Sequence, residues 1–264
     1  MRLGPRFRRL AFIGFALLGF SFLATGAEAV PPGPAKPLPN PFLLPADAHY
    51  GNADDDTDFL FRLGMLEGHL MIGHELLVHQ HAALALPHFG HPVRELYADI
   101  EDYLEKNHFP PFDGQLAALE AMVTAMPDSP DTEAKYRAVI ATIHKARDIA
   151  PASLRASLPE MIQICSDTID AASGEYGEGL EQGQIASIVE YHDSKGYLEY
   201  VQQQLAELRA SHTDAAGQSL LDRFQAILAK AEWIVAPLLP DPTPRASVGT
   251  YRAIASEAAA LAKP

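Results

Sequence analysis

A single cysteine, Cys165, in 264 residues excludes any internal disulfide, so the fold must be held by its core alone. It lies in the apolar run Met161-Ile162-Gln163-Ile164-Cys165, where a cysteine reads as a small buried hydrophobe rather than a nucleophile. Basic residues are also scarce. Lys and Arg number 20 against 34 Asp and Glu, for a formal charge of −14. Such a surface repels nucleic acid and anionic lipid, which argues against both as partners. The signatures of common chemistries are missing too. There is no Gly-x-Ser-x-Gly elbow, no glycine-rich phosphate loop after a strand, and no Cys-x-x-Cys-His, hence no covalent haem. Asp54-Asp55-Asp56 lacks the spacing of a calcium loop and reads as a helix start. No nucleophile or general base stands out, so the sequence leans away from an enzyme.

Most of what is present at the N-terminus concerns export. Arg2, Arg6, Arg8 and Arg9 precede an apolar stretch from Leu10 to Leu23, and Ala27-Glu28-Ala29 supplies the small-x-small pattern cut by a signal peptidase. Residues 1–29 are therefore expected to be a signal peptide, and the mature chain to be periplasmic or secreted. The Arg8-Arg9 pair leaves twin-arginine export open beside the general secretory route. Removal of residues 1–29 takes away four arginines and one glutamate and leaves a formal charge of −17. No later apolar run approaches the roughly 20 residues needed to span a bilayer, so no integral membrane segment is expected after cleavage. Residues 30–50 form a proline-rich linker, with prolines at 31, 32, 34, 37, 39, 41 and 45. Repeated proline removes backbone donors and favours extended geometry, as in a tether.

From residue 51 to 264 the hydrophobic period is that of helices, and no alternation of the strand type persists. Expected helices run from Asp56 to about Leu86, from Pro92 to before Phe109, and from Asp113 to Met126. Others run from about Asp131 to Ile149, from Ser157 to Leu180, and from Gln184 to Ser211. The last two run from Asp214 to Val235, and from a Ser247 cap to about Ala262. The reading is a single all-α domain, an antiparallel helical bundle of about eight helices, with two four-helix halves conceivable near residue 150.

Six of the eleven histidines crowd between His69 and His91. Neutral imidazole is the commonest metal ligand, so this density is the chemical signal of the chain. The first helix is apolar on nearly all sides, which predicts that it is surrounded by others. Glu67, His74 and His81 recur every seven residues as one stripe on it, while His69 occupies another face and His79 faces water. Gly64 and Gly68 mark an edge where another backbone can approach. His74-Glu75-Leu76-Leu77-Val78-His79 is one residue too long for the HExxH zinc motif, because i and i+5 lie about 140° apart on a helix. Pro87 and Pro92 frame a corner holding His88 and His91, with His91 as the expected N-cap and Glu95 one turn inside. Glu190 shares the inner face of its helix with Tyr197, Val201 and Leu205, inside the polar string Glu190-Tyr191-His192-Asp193.

Candidate metal ligands are therefore His69, His74, His88, His91, Glu67, Glu95 and Glu190. Mixed imidazole and carboxylate donors suit a transition metal such as zinc, copper, iron or nickel. Two main readings stay open. One is an exported protein that binds or handles such an ion. The other is a non-enzymatic interaction or scaffold protein, with a protein partner, whose buried histidines and carboxylates satisfy one another. A non-covalent haem protein or an enzyme is a third.

Overall fold

The computed structural model describes residues 55–263; the expected signal peptide and linker lie outside the described residues. So do the side chains of Asp55, His91, Pro92, Val93 and Glu95. The chain is an all-α bundle. The longer helices are α1 (Asp55–Val78), α3 (His91–Lys106), α4 (Asp113–Ala125) and α5 (Pro130–Arg147), then α7 (Leu158–Glu178), α8 (Ile188–Ser211), α9 (Ala215–Ile234) and α10 (Val248–Ala262). Two single turns, α2 (Ala82–Ala85) and α6 (Ala152–Arg155), and a 3-10 turn over Leu86–Phe89 join them. No helix of the described residues is long and apolar enough to cross a membrane.

Several helix starts follow the side-chain capping chemistry of the sequence. Asp214 accepts from the Gly217 amide at 2.9 Å and Ser247 from that of Thr250 at 3.1 Å, each satisfying a donor that a helix start leaves free. Three boundaries depart from expectation. α1 stops at Val78 instead of continuing to Leu86. Gln80 turns left-handed (φ 63°), its amide donates to Leu77 O, and the His81 amide donates to Leu76 O at 2.8 Å. That is the paired-bond ending that satisfies the last carbonyls, here achieved without glycine. The stripe from Glu67 to His74 therefore ends before His81, which sits on the following turn. The second departure is at α3, which begins at His91 with Gly90 as its cap, one residue earlier than expected.

The third departure is a short hairpin between α7 and α8: Leu180 and Gln184, expected in helices, lie in it, so α7 ends at Glu178 and α8 starts at Ile188. Leu180–Glu181 pairs antiparallel with Gln184–Ile185, with Leu180 opposite Ile185. Its two loop residues, Gln182 and Gly183, both have positive φ, the geometry that matches a two-residue turn to strand twist.

α7 packs against α8 and α10, and α9 packs against the same two, so these four make a square bundle. α1 lies along α8 and is also flanked by α3, α5, α7 and the 3-10 turn. This surrounding explains why α1 is apolar on most sides: Leu60, Leu63, Leu66, Leu70, Ile72 and Leu76 are all buried. Each such side chain contributes about 1.5–3 kcal/mol by leaving water. Cys165 is buried in the same core, and burial pushes its thiol up to about 12, which removes it from nucleophilic chemistry.

Candidate metal centre

α1 and α8 approach closely enough for backbone to touch backbone. A Cβ placed on Gly196 would lie 2.4 Å from Gly68 O, so only glycine fits there. The contact brings the middle of α1 against the first half of α8. At Gly73 the missing side chain makes room for Phe89 and for His88 Cβ, which would otherwise lie 2.6 Å and 3.2 Å away. The 3-10 turn is thereby laid onto α1. Three elements converge as a result.

His69 of α1 (2 % exposed), His88 of the turn (0 %) and Asp193 of α8 (0 %) meet at this convergence. Asp193 Oδ1 accepts from Nδ1 of His69 and from Nδ1 of His88, each at 2.7 Å. His69 Nε2 bonds the Tyr197 hydroxyl at 2.9 Å. One donor atom from each of the three residues lies within 4.8 Å of the others. Burial alone would push the Asp193 carboxyl up. The charges and hydrogen bonds of His69 and His88 overcome it and hold the group well below the usual carboxylate range. Asp193 is thus a buried carboxylate whose partners are imidazoles rather than lysine or arginine.

The surroundings are rich in donors that lack partners. Asp193 Oδ2, His88 Nε2, His192 Nδ1, Glu190 Oε2 and Glu175 Oε2 are buried without a hydrogen bond. His192 is edge-on to His88, with ring centroids 5.5 Å apart. Burial, reinforced by His88, pulls the His192 imidazole down to about 4, against a hydrogen bond to Leu238 O. It is therefore neutral near pH 7, carries its proton on Nε2, and leaves Nδ1 as a bare lone pair. Burial, then the charges of Asp193, Glu178 and Glu190, push Glu175 well above the usual carboxylate value. Burial and Asp193 raise Glu190 in the same way.

The residues singled out from the sequence divide into groups. His69 and His88 come together. Glu190, three residues before Asp193 on α8, does not join the 4.8 Å group. Glu67 and His74 face α5 instead. Glu67 Oε1 accepts from His144 Nε2 at 2.8 Å and from Gln203 Nε2 at 3.0 Å. His74 Nε2 bonds Glu133 Oε2 at 2.6 Å, and its ring stacks on Tyr136 at 4.0 Å. His81 is partly exposed and His79 exposed. His91 and Glu95 belong to the first turns of α3, and their side chains lie outside the described residues. The carboxylate at the centre is Asp193, where the sequence points to Glu190. Its signal was present: it lies three residues after Glu190 and four before Tyr197, on the same helical face.

Residues 151–261 match the family model of an iron permease-associated 4-helix bundle domain. The match spans α7 to α10, the square bundle, and so contains Asp193, Glu175, Glu190 and His192. His69 and His88 lie in the part of the chain before it. No curated protein and no solved structure matches the chain.

Proposed function

We propose that this chain is an exported, non-enzymatic metal-handling protein that holds a divalent transition-metal ion at His69, His88 and Asp193. One observation carries the reading: two imidazoles and one carboxylate, all buried, offer donor atoms within 4.8 Å of one another. Two histidines and a carboxylate are a known donor set for ferrous iron, and the same set also suits zinc. The family of the α7–α10 bundle favours iron as the cargo and an iron-transport system as the setting. Because Asp193 and His88 are closed to solvent, the arrangement suits retention and transfer better than turnover of a substrate.

The proton-balanced reading, a satisfied polar network in a scaffold protein, draws on the 2.7 Å contacts, which are hydrogen-bond lengths. Metal–ligand bonds near ~2.1 Å would spread the same donors to about 3 Å or more. An ion therefore requires the three groups to part by a few tenths of an ångström. That is a small movement for His88, which sits on a single turn.

The test is metal analysis of the full chain purified without a histidine tag, followed by anaerobic titration with Fe(II) and with Zn(II). One ion per chain, a raised melting temperature on loading, and loss of both in His88→Ala are expected. Absence of bound metal together with an unchanged melting temperature sinks the reading. Export is checked separately: cell fractionation should place the chain outside the cytoplasm, with a mature N-terminus at Val30.

A further inference from the structure

His69 reaches the candidate centre through one ring nitrogen and is held by the other. Its Nδ1 lies 2.7 Å from Asp193 Oδ1, on the side of the triad, and its Nε2 lies 2.9 Å from the Tyr197 hydroxyl. The two rings meet edge to face with centroids 5.2 Å apart, and both residues are buried. Tyr197 comes one turn after Asp193 on α8, so one stretch of helix carries the central carboxylate and the group behind His69. The close approach of α1 and α8 seats it there: a Cβ on Gly68 would lie 3.0 Å from Tyr197 Cδ1. Gly68 immediately precedes His69, so the gap that admits the tyrosine ring lies beside the imidazole it bonds.

A neutral imidazole carries a single ring proton. A metal ion on Nδ1 confines that proton to Nε2, where a buried N–H is costly without an acceptor. A hydroxyl accepts as well as donates, so Tyr197 can serve His69 in either tautomer. When its oxygen accepts from His69, its own O–H is left to donate to the Glu175 side chain, with which it also hydrogen-bonds. His88 lacks this arrangement. Its Nδ1 faces Asp193 Oδ1 at the same 2.7 Å, but its Nε2 is buried without a partner.

We infer that Tyr197 is a positioning residue of the metal centre: its hydroxyl accepts from Nε2–H of His69 and thereby keeps the Nδ1 lone pair aimed at the ion. The inference rests on the metal-handling reading and adds a residue that does not itself touch the ion. A partner of this kind behind a ligating histidine fixes the tautomer and the ring plane and raises the basicity of the ligand. It makes His69 the fixed arm of the centre, and His88, on its single 3-10 turn, the movable one.

Zn(II) is the probe, titrated into the untagged full chain against a chromophoric chelator. Tyr197→Phe keeps the ring and removes only the hydroxyl, and it is expected to weaken Zn(II) binding about 10–100-fold. Tyr176→Phe deletes the hydroxyl of another core tyrosine, one that donates to Ala246 O at 2.7 Å, and should bind Zn(II) as the unaltered chain does. Nitrogen-15 NMR of the histidine rings gives a readout that packing alone does not move. In the Zn(II)-loaded unaltered chain, His69 should carry its metal on Nδ1 and its proton on Nε2, with a nuclear Overhauser contact from that proton to the Tyr197 ring. Equal affinity in Tyr197→Phe overturns the inference, and so does a His69 that keeps its proton on Nδ1 in the loaded chain. A matching loss in Tyr176→Phe reduces the effect to a missing core hydroxyl and overturns it as well. All three outcomes leave the metal-handling reading standing. That reading falls, and the role of Tyr197 with it, if the unaltered chain binds neither Zn(II) nor Fe(II).

Discussion

His69 and His74 are five residues apart on one helix, and each meets a carboxylate at hydrogen-bond distance, yet the two meetings differ in kind. His74 and Glu133 meet near the surface, both partly in water, with the ring stacked on Tyr136 and the other Glu133 oxygen taken by Arg137 at 2.6 Å. His69 shares a single fully buried carboxylate with His88. The first pair is complete and screened, so it holds little energy and has no capacity for a further ligand. The second leaves a carboxylate oxygen and an imidazole nitrogen buried without a partner. Burial and unused ligand atoms, rather than residue type, separate a surface ion pair from a candidate site.

The sharpest way to break this contrast is to remove each carboxylate. Asp193→Ala strips the acceptor from two buried imidazoles and should destabilise the fold by about 3–5 kcal/mol. In a domain of this size that lowers the melting temperature by roughly 10 °C, measurable by circular dichroism. Glu133→Ala removes the acceptor of an exposed pair, and less than about 1 kcal/mol should be lost.

A second test leaves every donor atom in place. Gly196→Ala forces a methyl group against Gly68 O and pushes α1 from α8. A loss of about 1–3 kcal/mol is expected, with metal uptake reduced although no ligand has changed. Gly114→Ala in α4, where an added Cβ meets nothing within 4 Å, should instead be neutral or mildly stabilising in the same melts.

The contrast also extends to acids with and without a cationic partner. Asp167 on α7 accepts from the Gln163 amide at 2.8 Å and has no ion pair among the described residues, and burial pushes its carboxyl up to about 6. A folded-state value above the unfolded one means that the protonated form is favoured in the native state. The associated stability is present below the unfolded value and is lost as pH rises through about 6. Asp167→Asn should therefore stabilise the protein at pH 7.5, by about 1–2 kcal/mol after allowance for solvent screening. The gain should disappear by about pH 4 in melts across that range. His74→Ala, like Glu133→Ala, should change stability by no more than about 1 kcal/mol and leave the metal content unaltered.

Much of the bundle was legible in the sequence because helix periodicity and caps are local. Ser247 and Asp214 cap their helices as their types predict, and the bulk of each longer helix falls within its expected span. The end of α1 was not legible. Gln80 adopts a conformation for which glycine or asparagine is the usual sign, so the stop had no residue to announce it. The edge at Gly64 and Gly68 did indicate a close neighbour, and α8 occupies it: Gly68 against Gly196, and Gly64 against the Tyr200 ring.

The sequence by itself determined the helices and their apolar faces, and it marked His69 and His88 as histidines in need of partners. Those properties depend on residues within a few turns of one another. Only the tertiary structure decided which carboxylate they share. Asp193 lies 124 residues from His69 and 105 from His88, and it reaches both because two glycines let α1 and α8 touch. Glu67 and His74 sat on the same helix with the same chemistry, and packing turned them toward α5 instead. A ligand set is a property of which helices cross, and crossings are set by long-range packing that no local pattern encodes.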